Sequence, residues 1–211
     1  MTLLDTPSQT FHEDCTPVLA TERLVLRAPR REDVKAIAML ANDRRVAENT
    51  LQIPHPYSPA DAEQWIAAAN TRPGETTFLI EREGEPIGAC GFDIRNGTEP
   101  EIGYWLGASF WRQGYATEAV RAVIDHAFEA HDHMALQSGA RVSNPASRRV
   151  LEKCGFQWTG VALYRMRAIS SSAPCDRFRL ERRVWTSLKS WGAKAAKIER
   201  DNRDNGARAV A

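Results

Sequence analysis

No stretch of this chain approaches the roughly 20 consecutive apolar residues that a helix needs to cross a bilayer, so no transmembrane helix organises it. Cysteine is scarce. Cys15, Cys90, Cys154 and Cys175 are scattered, with no CxxC and no nearby histidine pairing, which points to free thiols rather than a disulfide framework or a zinc site. A surplus of either charge is missing too: 28 Lys and Arg against 27 Asp and Glu leave a net charge of +1. That balance argues against a nucleic acid as the main partner, although a local basic patch is compatible with it. There is no G-x-x-x-x-G-K-[ST], and Gly88, Gly91 and Gly97 do not make a G-x-G-x-x-G, so phosphate-loop NTPase and dinucleotide-binding readings fail. The N-terminus carries Asp5, Glu13 and Asp14 and lacks a basic-then-apolar leader, so the expected compartment is the cytoplasm.

What is present suits one soluble domain. The chain has 211 residues, 43% hydrophobic and 26% charged, enough for one sizeable core and short of two. Residues 1–20, polar and carrying Pro7 and Pro17, read as a flexible arm; 21–190 form the domain; 191–211 form a polar tail, frayed or disordered.

Within the domain, Leu24 to Arg27 is a short strand ended by Pro29, and Val34, Ile37, Ala38 and Leu40 favour a helix that continues toward Val46. Pro54, Pro56 and Pro59 mark a loop that carries His55 and Tyr57. Ser58 and Pro59 then open a helix with Ala62, Trp65, Ile66 and Ala69 inward, stopping near Pro73-Gly74. Three strands follow, Thr77 to Glu81, Pro86 to Phe92 and Glu101 to Leu106, joined around Gly84-Glu85 and the tight-turn pair Asn96-Gly97 as an antiparallel meander. Beyond a helix to about Ala130 come a strand over 135–142 and a helix opened by Asn144-Pro145 and stopped at Gly155. Two closing strands, Phe156 to Leu163 and Phe178 to Trp185, flank a Ser170-Ser171-Ser172 loop.

The stretch from Phe110 to Ala119 carries the strongest functional signal. Gly114 leads into a segment where Ala116, Ala119, Val120, Val123, Ile124, Ala127 and Phe128 fall in one helical stripe, with Arg121, Asp125 and Glu129 away from it. A glycine turn entering a helix leaves backbone N–H groups pointing the same way at the positive end of the helix dipole, a seat for phosphate. The same glycine could equally be only a turn.

The order Trp111-Arg112-Gln113-Gly114-Tyr115-Ala116-Thr117 resembles the acyl-CoA loop of the GNAT acetyltransferases, Q/R-x-x-G-x-G/A, with Trp111 first, Gly114 central and Ala116 last, as in the branch that holds the ribosomal-protein N-terminal acetyltransferases. Asn144-Pro145-Ala146-Ser147, with the later Lys153-Cys154-Gly155-Phe156, resembles the second signature of that family. The resemblance covers residues 21–186. It implies a GNAT-like α/β (α+β) fold: a mixed central sheet with antiparallel first strands, flanking helices, and a parallel fourth and fifth strand, here 100–106 and 135–142, that splay around the cofactor. It further implies acetyl-CoA as acetyl donor and an amine, either a protein N-terminus or a small amine, as acceptor.

By the same resemblance the amides from Arg112 to Thr117 hold the CoA pyrophosphate, a backbone N–H at Trp105 or Leu106 meets the oxyanion, and Asn144 and Ser147 lie by the pantetheine arm and thioester. Where many family members have a tyrosine that protonates the CoA thiolate, this chain has Leu151, which leaves Ser147 or a water for that role. Asn144 is equally well explained as a helix cap. An attacking amine must be uncharged, so a carboxylate base is expected. Strand alternation puts Glu101, Gly103 and Trp105 on one face; Glu101 is the candidate, with Glu99 and Asp93 behind it, and all three also fit solvated strand-end charges. The thioester is already activated, so no metal is required, and His131-Asp132-His133 lacks a third ligand pattern. His55 and Tyr57 are candidates for acceptor contact. A non-catalytic acyl-CoA sensor or interaction module is the alternative to an enzyme, and a homodimer is compatible with the pattern.

Overall fold

A computed structural model describes residues 16–69, 71, 74–94, 99–192 and 194. Eight strands form one mixed sheet: β1 Leu19–Ala20, β2 Val25–Arg27, β3 Glu75–Arg82, β4 Glu85–Asp93, β5 Glu101–Leu106, β6 Ala135–Arg141, β7 Gln157–Met166 and β8 Ser171–Glu181, in the order β1-β2-β3-β4-β5-β6-β8-β7. The helices are α1 Val34–Ala41, α2 Arg44–Ala47, α3 Pro59–Ala69, α4 Tyr115–Ala130 and α5 Pro145–Lys153, followed by a helical segment over 182–192.

All neighbouring strands run antiparallel except β5 and β6, which are parallel and touch at one end only, Glu101 opposite Gln137 and Ile102 opposite Ser138. Two bonds close that short contact: Gln137 N–H donates to the Pro100 carbonyl at 2.8 Å, and the buried Ser138 hydroxyl donates to the Ile102 carbonyl at 2.8 Å. Beyond it β5 continues to Leu106 and β6 to Arg141 without pairing, which is the splay that the family resemblance implies.

Alternation along the strands divides the core by face. Phe78, Ile80, Ile102 and Leu106 meet the α4 stripe of Ala119, Val120, Val123, Ile124, Ala127 and Phe128, with Leu151 of α5. Leu79 points the other way, into a second cluster with Ile37, Ala38 and Ala41 of α1 and Ala62 and Ile66 of α3. The two layers are pinned at one edge by Arg27, which donates to Asp33 at 2.8 and 2.9 Å and pairs with Glu81. Burial alone raises the Asp33 pKa, but the hydrogen bonds from Arg27 and from the Arg30 N–H outweigh it and hold the carboxylate below its ordinary value.

Several boundaries depart from the sequence reading. Leu19 and Ala20, placed in the N-terminal arm, pair with Leu26 and Val25; residues 1–15 lie outside the described residues, as do the Asn96-Gly97 turn and 195–211 of the tail. The first helix stops at Ala41 instead of reaching Val46, because the Asp43 side chain accepts from Arg45 N–H and caps a separate turn. Ser171 and Ser172 are strand residues paired with Met166 and Arg165, so the serine loop is shorter than expected. The closing strand ends at Glu181, not Trp185. From Arg182 the chain is helical, with the Arg182 guanidinium donating to the His133 and Phe128 carbonyls at 2.7 and 2.8 Å. Among the described residues no helix is long and apolar enough to cross a membrane. Cys90, Cys154 and Cys175 are free and buried.

Candidate active site

The mouth of the splay is formed by the turn between β5 and α4. Arg112 and Gly114 both adopt left-handed backbone, φ 61° and 86°, which turns successive N–H groups to one side. Among the described residues none of the N–H groups from Arg112 to Thr117 finds a hydrogen-bond acceptor; the first closed bond of the helix is Glu118 N–H to the Gly114 carbonyl at 3.1 Å. The arrangement is a concave set of donors at the positive end of a 16-residue helix, suited to a phosphate or pyrophosphate.

A feature with no local sequence signal holds this turn. Glu118 accepts from the Thr21 hydroxyl at 2.7 Å, from Arg23 N–H at 2.9 Å and from Arg23 Nε at 2.8 Å, while Arg23 Nη1 donates to the Gln113 carbonyl at 3.0 Å. The Arg23 guanidinium also lies over the Tyr115 ring. Tyr115 itself is buried, so it anchors the helix start and offers the ligand only its amide. Trp111 turns back toward β5, where its indole N–H donates to the Leu106 carbonyl at 2.8 Å.

Asn144 is a helix cap: its Oδ1 accepts from Ser147 N–H at 3.1 Å, with Pro145 at the first helical position. Ser147 faces the gap between α5 and β5. There its hydroxyl shares a hydrogen bond of 2.8 Å with the phenol of Tyr104, which also donates to the Ser147 carbonyl at 3.1 Å. Burial pushes the Tyr104 pKa well up, opposed by the Ser147 bond, so the phenol stays neutral. The sequence reading did not single out Tyr104. The signal was available: Tyr104 alternates with Ile102 and Leu106 on the core face, and a phenol there requires a partner. Leu151, at the position of the family tyrosine, is fully buried.

On the opposite face of β5, Glu101 has neither a hydrogen bond nor an ion pair to any described residue. Glu99 is engaged by Arg179 at 2.6 Å and by Gln137 at 2.9 Å; the Arg179 hydrogen bond is the main reason its pKa is lowered, which makes it a poor base. Asp93 stands directly across from Glu101 in the sheet. Next to Glu101 the floor is glycine: a Cβ built on Gly103 would meet nothing within 4 Å, whereas one on Gly91, its cross-strand partner, would strike the Thr76 carbonyl at 2.3 Å. Trp105 packs against the α1/α3 cluster.

The two loop candidates separate. His55 is exposed, and Tyr57 is buried among Ile37, Ala41 and Ile66, where loss of solvent pushes its pKa up to about 12. His131 and His133 stack on each other and meet Phe92 edge-on, with His126 edge-on to His131, and among the described residues no group of His, Cys, Asp and Glu converges as a metal site.

A parallel strand pair opened into a V, with backbone donors at its mouth and a carboxylate beside it that is unpaired among the described residues, fits an acyl-group transferase. The chain belongs to the GNAT acetyltransferases: the family model "Acetyltransferase (GNAT) domain" matches residues 23–157. It is similar to the uncharacterized N-acetyltransferase p20 of Bacillus licheniformis, 30% identical over 150 residues that cover 68% of this chain and 84% of that protein. It is also similar to the ribosomal-protein-serine acetyltransferase of Escherichia coli, 37% identical over 84 residues, covering 37% of this chain and 45% of that one. Among solved structures, Mycobacterium smegmatis RimJ in complex with CoA-disulfide superimposes with a TM-score of 0.71 at 19% identity, over 84% of this chain and 95% of that one.

Proposed function

We propose that this acetyltransferase moves the acetyl group of acetyl-CoA to a primary amine by direct attack within a ternary complex. The observation that supports the reading is that, among the described residues, the amides from Arg112 to Thr117 are free at the open end of β5–β6 and Glu101 is unpartnered on the other face of β5. In this reading those amides hold the pyrophosphate, and the pantetheine arm runs between β5 and β6 toward Ser138. A backbone N–H near Trp105 or Leu106 faces the thioester oxygen.

An alkyl ammonium is mostly protonated at neutral pH, so Glu101, directly or through a water, takes its proton first. The amine nitrogen then attacks the carbonyl carbon, and the C–S bond breaks as the oxyanion collapses, the nitrogen giving up its remaining extra proton to water. The CoA thiolate leaves beside the Ser147 hydroxyl, which stabilises it by hydrogen bonding. Asn144 shapes this corner by capping α5, and His55 is the exposed loop side chain on the acceptor side.

Thiol release from acetyl-CoA, followed against a panel of amines and N-terminal peptides, tests the proposal; turnover with any acceptor supports it. CoA binding without turnover on the whole panel would identify a non-catalytic acyl-CoA-binding module instead.

A further inference from the structure

A cavity of about 50 Å³ opens on the acceptor face between β5, β6 and the β7–β8 hairpin, with Glu101 and Arg141 in its wall together with Leu51, Tyr164, Met166 and Cys175. Its two charged groups are both under-used. Among the described residues Glu101 has no partner, and half-buried Arg141 spends a single N–H, Nη1 donating to the Glu48 carbonyl at 2.8 Å, and forms no ion pair, its charge reaching the Glu48 carboxylate only from a distance. The arginines one strand away differ: Arg179 is held by Glu99 and Glu181, and Arg177 by Gln137 and the Tyr164 ring. Cys175, opposite Arg141 in the sheet, lies within reach of both charges. Burial raises its pKa, Arg141 pulls it down and Glu101 pushes it up.

Such a wall discriminates by charge. A second ammonium on the acceptor would be repelled by Arg141, and an apolar tail would strip water from a guanidinium without replacing its hydrogen bonds. A carboxylate matches the planar fork of an arginine, and the cavity has room for a group of that size rather than for a chain. We propose that the acceptor carries its own carboxylate a few bonds from the reacting nitrogen, as a small amino acid does, with Arg141 holding the carboxylate while Glu101 receives the proton of the amine. The proposal rests on the transferase reading and narrows its acceptor.

The test uses the full chain and matched acceptors: free amino acids, the amines left by removing their carboxylates, and their carboxamides, each with acetyl-CoA and thiol release as the readout. A charge-assisted hydrogen-bonded pair predicts a preference of about tenfold or more in kcat/KM for the free acid. Arg141→Met should raise KM for the acid at least tenfold more than for its decarboxylated amine, and Arg141→Lys should restore part of the preference. Decarboxylated amines or carboxamides used as well as the acids by the unaltered protein would overturn the proposal, and that comparison needs no variant that folds. Equal losses for all three acceptor types in Arg141→Met would overturn it as well, by reducing Arg141 to a structural tie. Preference for an amine bearing phosphate over its carboxylate counterpart would replace the carboxylate assignment. No thiol release with any acceptor, while CoA still binds, defeats the transferase reading itself and is recognisable as that separate failure.

Discussion

The two faces of β5 are built on different principles. On the α4 face the strand offers Ile102, Tyr104 and Leu106 to a large apolar core, and in the proposed reaction the chemistry there falls to main-chain N–H groups and one half-buried hydroxyl pair. On the other face it offers Glu101, an open glycine and Trp105, the local core is small, and the proposed chemistry rests on side-chain charges at a cavity wall. A donor-binding half made of backbone depends on loop geometry and tolerates side-chain variation. An acceptor half made of side chains can change its substrate by single replacements. Similarity to relatives at about 30% identity therefore carries the first half and leaves the second to be settled residue by residue.

The contrast can be broken most sharply at Glu101. Glu101→Gln should lower turnover by about 10²–10⁴-fold while leaving CoA affinity unchanged, and the loss should shrink as pH rises, because more of the amine is then already neutral. Steady-state kinetics across pH check it; a loss constant with pH would assign Glu101 to acceptor binding instead. The mirror-image experiment is Gly114→Asp, which adds a carboxylate at the anion seat on a Cβ that would stand 3.2 Å from Arg23 Nη2. CoA affinity by calorimetry should fall roughly tenfold or more, and unchanged affinity in a folded variant would remove the phosphate seat.

A smaller effect separates the two groups of the half-buried hydroxyl pair, Tyr104 and Ser147. Tyr104→Phe should cost about three- to tenfold in kcat, with the KM for acetyl-CoA changed less. If Tyr104 acts by orienting Ser147, the double variant with Ser147→Ala should be no slower than Ser147→Ala alone; additive losses would separate the two roles.

The smallest effect lies at the strap that fixes the loop. Burial alone would raise the Glu118 pKa, but its bonds to Thr21 and Arg23 win, and the folded value lies below the ordinary 4.5. A depressed carboxylate stabilises the fold above its unfolded pKa and loses that contribution as pH falls through the folded value. Glu118→Gln should therefore cost at most about 1 kcal/mol at neutral pH, since Arg23 is well exposed, and the difference from the parent in thermal melts should shrink as pH falls from the ordinary carboxylate range through the depressed folded value.

How much of this was legible in the sequence follows the same division. The α4 stripe, the Gly114 turn, the Asn144 cap and the meander are encoded within short windows, and each is where periodicity or capping chemistry places it. The Arg23–Glu118 strap joins residues 95 positions apart and the Tyr104–Ser147 bond residues 43 apart, so no local pattern announces either. Tyr57 misled because a proline-rich loop suggests exposure, whereas its ring fills space between α1 and α3. The chain beyond Glu181 reads as strand by its Val184 and Trp185, yet both pack on the core from a helix, where Trp185 stacks near Phe128 and donates to Asp125 at 2.7 Å.

The short parallel contact has a mechanical consequence. Among the described residues Glu101–Gln137 and Ile102–Ser138 are all of the strand pairing between a sheet half made of β1 to β5 and a half made of β6 to β8, with α4 and α5 packed across it. A molecule wedged into the open part of that seam would act as mortar, tying together two blocks that the backbone barely stitches. Amide exchange in β5 and β6 should then slow when the wedge is filled by more than it does in β3 or β8, and heat resistance should climb with ligand concentration by mass action. Under the proposed function, the gap that would take the donor is also the place where the protein would gain most in cohesion by binding it.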